Sequence, residues 1–317
     1  MRLSGSGVLN LHYTWALCAD AAVVVLPQLD VKTARDYWRR IEEHQIDQMF
    51  LVPPLIELLN HLAVPPADGV RPICITGSSP LSKRTQERFH RKFKLGLLNA
   101  FGLTESMCAC FFGEYDEQGM GRISIGQPAL LKARLRDLAG RIVEGPGDGE
   151  LELSGPTLFE GYYRNPRATA AAFNGSWFRT GDLLRRDERG SYATIGRLKD
   201  VVMKGSYAIY LNEIEEAAVD IEGVREVAAV PLQLPDGGED VGLIVRFLPE
   251  VAAAINTEWM TAELRSRLGA GRAPRRVVDT TEALPRTGQE KLDRRRILDL
   301  WQRLAGHAAL DLRPDHG

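Results

Sequence analysis

The sequence lacks an excess of either charge. Its 317 residues include 40 lysines and arginines and 42 aspartates and glutamates, which gives a formal net charge of −2. Chains that bind nucleic acid usually carry a basic excess, and chains that bind anionic membranes carry a basic tract. Neither is present, so the composition argues against a nucleic-acid partner. The charge runs RRDERG and DRRR are most simply solvated turns or helix faces.

Cysteine is also scarce. The four cysteines are Cys18, Cys74, Cys108 and Cys110, and no CxxC pair or Cys/His cluster accompanies them. This spacing argues against a zinc site. Scattered thiols in a chain of this length predict a reducing compartment, the cytoplasm, rather than a disulfide framework.

Long apolar runs are missing as well. The one candidate for a targeting segment is WALCADAAVVVLP, residues 15–27, which is too short to span a bilayer and is interrupted by Asp20. We therefore expect no membrane span. A signal peptide is one alternative, because Arg2 precedes the run. The α/β pattern that follows favours the other, a buried helix end and a strand over AVVVLP.

What the sequence does contain is an alternation of helix and strand patterns. QMFLV, RPICIT and LGLLNAF have the composition of strands, and amphipathic segments lie between them. In the first of these segments Val31, Ala34, Trp38 and Ile41 share one helical face, with Asp30 as the N-cap. This alternation predicts an α/β fold with a mostly parallel sheet.

The pattern changes at about Gly113. GELELSG, WFRTGDLLRRD and GSYATIG predict a β-rich subdomain, with DERG as a hairpin turn. Beyond Gly196 and Arg197 the segments DVVMKG and YAIYL predict a hairpin, and the alternating helices and strands after it predict a small α+β domain. We therefore expect a large domain over residues 1–196 and a small one over residues 197–317.

Several short motifs carry residues suited to nucleotide chemistry. In NAFGLTESM, residues 99–107, Gly102 would allow a tight strand exit, Thr104 offers a hydroxyl to a phosphate, and Glu105 is a potential Mg²⁺ ligand. In WFRTGDL, Asp182 follows a Thr-Gly turn and could grip two ribose hydroxyls. Each motif alone has a plain alternative as a surface turn.

Together, the order and spacing of NAFGLTE, GELELSG…GYYRNP, WFRTGDL, GRLKD and LPRTGQEKL resemble one superfamily. It contains the AMP-forming acyl-CoA synthetases, the adenylation domains and the luciferases. The resemblance implies a ligase in which a carboxylate attacks the α-phosphate of ATP, giving acyl-AMP and pyrophosphate. A thiol of coenzyme A or of carrier-protein phosphopantetheine then takes the acyl group. The implied cofactors are ATP or AMP, Mg²⁺, and CoA or phosphopantetheine.

The resemblance also implies roles for individual residues. Thr104 would contact the α-phosphate, Glu105 would bind Mg²⁺, and Lys291 would stabilise the charge that develops during adenylation. Phe101 stands where the family usually has a tyrosine that stacks on adenine. The remaining expected contacts are the adenine and acyl-pocket loop Gly77, Ser78, Ser79 and Pro80, the strand residues Ala100 and Gly102, the ribose ligands Asp182 and Arg197, the hinge residue Lys199, and Gly205 beside the pantetheine channel.

The sequence also departs from the family pattern. The Ser/Thr/Gly-rich phosphate loop that ends in Pro-Lys is not found, since SGSGVL at residues 4–9 has no following lysine. This predicts a truncated large domain that lacks its N-terminal half. Three explanations stay open: a truncated or mis-started reading of a longer enzyme, half of a split enzyme whose partner chain supplies the loop, or a non-catalytic relative. Leu211 replaces a frequent proline, and Glu290 replaces a glycine.

One further observation narrows the choice of acid. Amino-acid-activating relatives place an aspartate in the segment that matches SGSGVLNLHY, which here has no carboxylate. We therefore expect an aryl or fatty acid rather than an α-amino acid, with CoA or a free-standing carrier protein as acceptor. The first hypothesis is an AMP-forming acid–thiol ligase. The second is a remnant, or half of a split enzyme, that binds AMP, acyl-AMP or a partner chain without turnover alone.

Overall fold

A computed structural model describes residues 9–26, 29–79, 81–205, 207–250, 255–287 and 291–306 of the chain. The chain divides into two compact units, residues 1–194 and 195–317. This division lies two residues before the boundary expected from the sequence. The roles of the two units as an adenylate-forming and a mobile domain stay predictions.

The first unit begins with a mixed sheet. Strands β1, β2 and β3 run parallel, and β4 and β5 add to them antiparallel, in the order β1-β2-β3-β4-β5. The parallel arrangement of the first three strands was predicted from the alternating pattern and is confirmed. The strands are β1 (Gln48–Leu51), β2 (Ile73–Gly77), β3 (Leu97–Leu103), β4 (Cys108–Phe112) and β5 (Gln127–Pro128).

Helices pack on this sheet through their apolar faces. Trp38, Phe89 and Phe93 form a buried aromatic group with ring centroids 4.9–6.1 Å apart. Ile56 and Leu59 complete the same core, because their helix carries apolar residues at helical spacing. After a π-helical turn (Leu9–Thr14), the helices are α1 (Trp15–Cys18), α2 (Val31–Ala34), α3 (Tyr37–Glu43), α4 (Pro53–Leu62) and α5 (Lys83–Phe93).

The first predicted helix begins as expected and then breaks. Asp30 is the N-cap of α2, and its Oδ1 accepts hydrogen bonds from the backbone N–H groups of Lys32 (2.9 Å) and Thr33 (2.8 Å). The single expected helix is interrupted at Arg35 and Asp36, so that α2 and α3 are separate. The apolar pattern continues across the break, which is why the sequence did not indicate it.

The expected strand over AVVVLP is wrong. The described residues 21–26 have no strand structure, and Val23, Val24 and Val25 are 37%, 40% and 62% exposed. An apolar run becomes a strand only where a neighbouring backbone offers hydrogen-bond partners. No described strand pairs with this run. The helix expected just before it is present as α1, although it buries no residue.

The second sheet of this unit is the β-rich subdomain predicted from about Gly113. It has the order β10-β9-β7-β6, with the short β8 paired to β9. Leu135, Leu151, Leu153 and Leu184 form its core together with Phe111 of β4. The DERG turn is confirmed between β9 and β10. The elements are β6 (Lys132–Arg136), β7 (Gly147–Ser154), α6 (Pro166–Ala172), β8 (Phe173–Asn174), β9 (Trp177–Arg186) and β10 (Tyr192–Arg197).

The second unit is α+β, as expected. After the hairpin β11–β12, a sheet of order β13-β14-β15 has helices on both faces. Side chains alternate along β14, so that Leu243 faces α7 and α8 whereas Ile244 faces α9. The elements are β11 (Val201–Lys204), β12 (Tyr207–Tyr210), α7 (Leu211–Val219), β13 (Val224–Gln233), β14 (Glu239–Phe247), α8 (Thr257–Leu268), β15 (Arg276–Asp279) and α9 (Arg294–Ala305).

Among the described residues, no helix is both long enough and apolar enough for a membrane crossing.

Candidate functional site

The carboxyl ends of β2 and β3 bring two of the predicted motifs together. Gly77 pairs with Ala100, and a Cβ on Gly77 would lie 2.4 Å from the Ala100 carbonyl oxygen, so only glycine fits there. The chain then turns out of the sheet through Ser78, whose φ of +73° is left-handed, and through the half-buried Ser79. Ligands of α/β sheets bind at such strand ends. Pro80 lies outside the described residues.

Glycine is required at position 102 for a reason other than the predicted tight strand exit. Strand β3 does not end there but continues to Leu103, with a register shift between Phe101 and Gly102. A Cβ on Gly102 would lie 1.7 Å from the carbonyl oxygen of Cys108 on β4. Glycine is therefore needed for the close approach of two strands, and the strand exit falls at Thr104.

A single 3₁₀ turn, Thr104–Ser106, displays the next two candidates. Ser106 is 3% exposed; its Oγ accepts the Leu103 N–H (3.1 Å) and donates to the Cys108 carbonyl oxygen (2.9 Å). These hydrogen bonds of the buried Ser106 fix the turn. Thr104 on the same turn is exposed, and Glu105 is half-buried. The turn thus presents a hydroxyl and a carboxylate side by side at the end of β3.

The loop after β7 holds this turn at two points. The Phe159 N–H donates to the Glu105 carbonyl oxygen (2.8 Å), and the Tyr162 hydroxyl donates to Glu105 Oε1 (3.1 Å). The Phe159 ring lies 5.6 Å from the Phe173 ring and 5.2 Å from the Phe178 ring. Burial raises the pKa of Tyr162, and so does its hydrogen bond to Glu105.

Tyr162 is a residue that the sequence did not single out. GYYRNP marked a tyrosine pair within a matching motif but gave neither ring a role. The partner, Glu105, is 57 positions away, and no local pattern indicates a contact at that distance.

The predicted adenine-stacking ring, Phe101, is half-buried. It packs edge-on against Phe111, with ring centroids 5.8 Å apart, and borders the core of the second sheet. Its contact with adenine stays a prediction.

Asp182 sits in a bulge of β9. Three residues, Thr180, Gly181 and Asp182, lie opposite the single Leu151 of β7. Gly181 takes a left-handed φ of +70°, and Thr180 Oγ1 donates to the Leu151 carbonyl oxygen (2.9 Å) while it accepts the Asp182 N–H (3.0 Å). Asp182 is only 5% exposed. Its backbone is therefore fixed before any ligand arrives.

The donor set fits a magnesium ion that arrives with a nucleotide. The described residues contain no group of three or more His, Cys, Asp or Glu side chains that could hold a metal. Mg²⁺ in nucleotide sites is typically bound by one or two carboxylates together with substrate phosphates. Glu105, on the same turn as the exposed Thr104 hydroxyl, supplies such a carboxylate.

The second unit carries the remaining candidates. Arg197 is the last residue of β10, and Lys199 lies in the following 3₁₀ turn, Leu198–Asp200; both side chains are exposed. Gly205 begins the turn of the β11–β12 hairpin with a φ of +60°. Just before it, Lys204 forms an ion pair of 2.8 Å with the buried Asp240.

Lys291 is exposed, three residues before the start of α9. Its carbonyl oxygen accepts the Thr287 N–H at 2.8 Å, and Arg286 pairs with Leu292. Arg286 is also held by Glu226 at 3.2 Å. The backbone of Lys291 is therefore linked to strand β13 through this segment and Glu226. Glu290 lies outside the described residues.

Glu226 of β13 makes several contacts that hold this segment in place. Besides Arg286 it binds Arg246 at 2.7 Å, and its Oε2 accepts the Leu284 N–H at 3.4 Å. Burial alone would raise the pKa of this carboxyl, but the two arginines and the N–H group outweigh it and hold the pKa below its ordinary range.

A sequence model of the AMP-binding enzyme family matches residues 8–163, which include both strand-end motifs and Tyr162. Residues 8–163 belong to the AMP-binding enzyme family. The chain is similar to the sulfoacetate–CoA ligase of Cupriavidus necator, with 31% identity over 270 residues that cover 84% of this chain and 52% of the relative. It is also similar to the medium/long-chain-fatty-acid–CoA ligase FadD8 of Mycobacterium tuberculosis, with 29% identity over 93% of this chain and 53% of the relative.

The fold agrees with this membership. The crystal structure of ATP-bound MatB from Rhodopseudomonas palustris superposes with a TM-score of 0.82 at 25% identity, over 95% of this chain and 59% of that one. The predicted family and the α/β adenylate-forming fold are both confirmed. The chain spans about half the length of the curated relatives it matches.

The roles assigned to single residues stay predictions. In the first unit, the carboxyl ends of β2 and β3 bring together the strand-end candidates, and Asp182 occupies the bulge of β9. The strand-end candidates are Gly77, Ser78, Ser79, Ala100, Phe101, Gly102, Thr104 and Glu105. The candidates in the second unit are Arg197, Lys199, Gly205 and Lys291.

Proposed function

We propose that this chain carries the adenylate-forming and thioester-forming residues of an AMP-forming acid–thiol ligase. The observation that carries the proposal is the turn Thr104–Ser106, which buries Ser106 and displays a hydroxyl and a carboxylate at the end of a parallel strand. Membership of the AMP-binding family and the similarity to CoA ligases support it.

In the first half-reaction a carboxylate oxygen of the acid attacks the α-phosphorus of ATP, and the bond to the pyrophosphate oxygen breaks. Thr104 would donate its hydroxyl to the α-phosphate, and Glu105 would hold Mg²⁺, which offsets phosphate charge when bound. Asp182, assisted by Arg197, would accept hydrogen bonds from the ribose hydroxyls. Lys291 would place its ammonium group against the negative charge that develops, which is electrostatic catalysis rather than proton transfer.

The remaining candidates would serve the adenine, the acyl group and the thiol. Phe101 would stack on adenine beside Ala100 and Gly102, and Gly77 to Pro80 would border the adenine and the acyl group. In the second half-reaction a thiolate of CoA or of a carrier's phosphopantetheine attacks the acyl carbonyl carbon, and AMP leaves. Lys199 would act at the hinge, and Gly205 would line the thiol channel.

The acid is proposed to be an aryl or fatty acid. The segment SGSGVLNLHY, which carries no carboxylate for a substrate ammonium, supports this choice, although residues 4–8 lie outside the described part of the chain. The similar ligases are named for acids as different as sulfoacetate and medium- or long-chain fatty acids. Sulfoacetate therefore belongs in any substrate panel.

The second candidate function is nucleotide binding without turnover by the chain alone, either as a remnant or as half of a split enzyme. The observation that favours it is that the sequence holds no Ser/Thr/Gly-rich loop ending in Pro-Lys. In that case a partner chain would supply the contacts to the β- and γ-phosphates.

Pyrophosphate release by the purified chain distinguishes the two candidates. The chain is incubated with ATP, Mg²⁺ and a panel of aryl acids, fatty acids and sulfoacetate, and AMP binding is measured in parallel by calorimetry. Lys291→Ala is compared with Arg295→Ala, which removes a nearby exposed cation of α9 that has no proposed role.

Acid-dependent release that is lost only in Lys291→Ala supports the ligase and names the acid class. AMP binding without release from any acid supports the second candidate. A folded chain that neither binds AMP nor releases pyrophosphate contradicts both.

A further inference from the structure

We propose that Tyr162 is a positioning residue that orients the Glu105 carboxylate for magnesium. The inference rests on the proposed function, which makes Glu105 the metal ligand. The Tyr162 hydroxyl lies 3.1 Å from Glu105 Oε1 and donates to it. Within the described part of the chain no hydrogen bond to Oε2 is present, so one oxygen is held and the other is available.

The hydroxyl is itself held in place by its own loop. The Tyr162 N–H donates to Thr169 Oγ1 (2.9 Å) on α6, and the Tyr162 ring packs against the Phe159 ring at 4.9 Å. Phe159 in turn contacts Phe173 and Phe178, which belong to strands β8 and β9. The position of the hydroxyl is thus set by the second sheet, not by the turn that it contacts.

The same loop fixes Glu105 at a second atom. Its carbonyl oxygen accepts the Phe159 N–H at 2.8 Å. A backbone bond sets where the residue lies, and a side-chain bond sets the rotation of the carboxylate. Both come from residues 159–162, so a displacement of this loop would move backbone and carboxylate together.

The chemistry of the contact suits a metal ligand. A phenol is a neutral donor, so it orients a carboxylate without cancelling the charge that attracts the cation. Partners that hydrogen-bond to a metal ligand commonly change metal affinity about 10- to 100-fold when removed.

The next residue provides a matched control. Tyr163 is 86% exposed, and its ring faces the Arg164 guanidinium at 5.1 Å. Tyr162→Phe and Tyr163→Phe each remove one hydroxyl and keep the ring. Only the first removes the bond to Glu105.

The test is the Mg²⁺ concentration at which ATP binding by the full chain is half-maximal, measured by calorimetry. Because Tyr162 is 38% exposed, we expect the lower end of the usual range, a rise of about tenfold in Tyr162→Phe. We expect no change in Tyr163→Phe and loss of the Mg²⁺ response in Glu105→Gln. AMP binding without metal should be equal in wild type and Tyr162→Phe, which a general structural defect would not allow.

A second readout needs neither metal nor nucleotide. Urea unfolding of the single and double variants of Tyr162→Phe and Glu105→Gln should be non-additive, with a coupling of about two- to fivefold in the unfolding equilibrium constant. The pair Tyr163→Phe and Glu105→Gln should be additive.

The outcomes distinguish a failure of the proposed Glu105 role from a failure of the Tyr162 role. If wild type binds ATP with no Mg²⁺ response, or does not bind it, the proposed role of Glu105 fails and this inference fails with it. If the response is present and lost in Glu105→Gln, but Tyr162→Phe behaves like Tyr163→Phe, the inference alone is overturned.

Discussion

Two glycines of the candidate site are required by their neighbours rather than by their own flexibility. A Cβ on Gly77 would meet the Ala100 carbonyl oxygen at 2.4 Å, and one on Gly102 would meet that of Cys108 at 1.7 Å. Neither has a φ in the left-handed region. In each case a backbone oxygen of the adjacent strand occupies the place of a side chain, so a side chain there would force the two paired strands apart.

Gly102→Ala should therefore be severely destabilising, by about 3 kcal/mol or more, since two paired strands must move apart. The comparison is Gly145→Ala, where φ is +75° and nothing lies within 4 Å of the added Cβ. That variant meets only the left-handed backbone cost of about 1–2 kcal/mol. Urea unfolding of both variants measures the difference, and equal costs would contradict the close approach of β3 and β4.

Among the elements, the pair β6–β7 depends on a buried charge. Glu152 of β7 is fully buried and binds Arg134 (2.6 Å) and Arg136 (2.7 Å) of β6. Arg134 also lies over the Trp177 ring at 4.0 Å. Burial alone would raise the pKa of Glu152, but the hydrogen bonds from Arg136 and Arg134 outweigh it and lower the pKa.

Because the folded pKa is lowered, the stabilisation from Glu152 is present above the unfolded pKa, about 4.3 for glutamate. It is lost as the pH falls through the folded pKa. Glu152→Gln should cost about 3–5 kcal/mol at pH 7. The difference from wild type should shrink below about pH 5. Urea midpoints measured from pH 8 to pH 3 check this.

Asp148→Asn is the control for that series. Asp148 lies on the same strand and pairs with Arg185 at the surface, with both side chains substantially exposed. An exposed pair contributes about 0–1 kcal/mol. A Glu152→Gln difference that stays constant down to pH 3 would show that the charge of Glu152 is not what stabilises the strand pair.

Sequence patterns predicted most elements because their signals are local. The Asp30 cap, the apolar face with Ala34, Trp38 and Ile41, and the Asp187 turn are all read from neighbouring residues. The errors concern partners that are distant in sequence. Val23 to Val25 have strand composition but no neighbouring strand among the described residues, and Gly102 is explained by Cys108 on another strand.

The site shows the same limit. Thr104, Glu105 and Asp182 were named as candidate site residues from the sequence, together with the Thr-Gly turn before Asp182. The contact between Tyr162 and Glu105 was not, because 57 residues separate them. Resemblance to a family supplied the roles, and the folded chain was needed to show which side chains hold one another.

At the scale of the whole molecule, the two units have separate hydrophobic cores. Leu151 is fully buried in the first unit and Leu264 in the second, and no hydrophobic cluster of buried residues among the described ranges contains members of both units. A unit with its own core can in principle unfold by itself.

Calorimetry should therefore resolve more than one unfolding transition. Leu151→Ala should lower the transition of the first unit, and Leu264→Ala that of the second. Each substitution should cost about 2–5 kcal/mol because it leaves a cavity in a packed core. A single transition that both substitutions lower equally would contradict independent cores.

The bulge in β9 also sets a rule for the length of that strand. Three residues opposite Leu151 make an excess of two, and an even excess keeps the in–out alternation of the strand in phase on both sides. Phe178 and Leu184 accordingly pair with Leu153 and Gly149, which share one face of β7. Loss of one residue from Thr180–Asp182 would turn Phe178 to the opposite face and away from Phe159. Homologous chains should therefore differ in this segment by substitutions or by pairs of residues, and not by a single insertion or deletion.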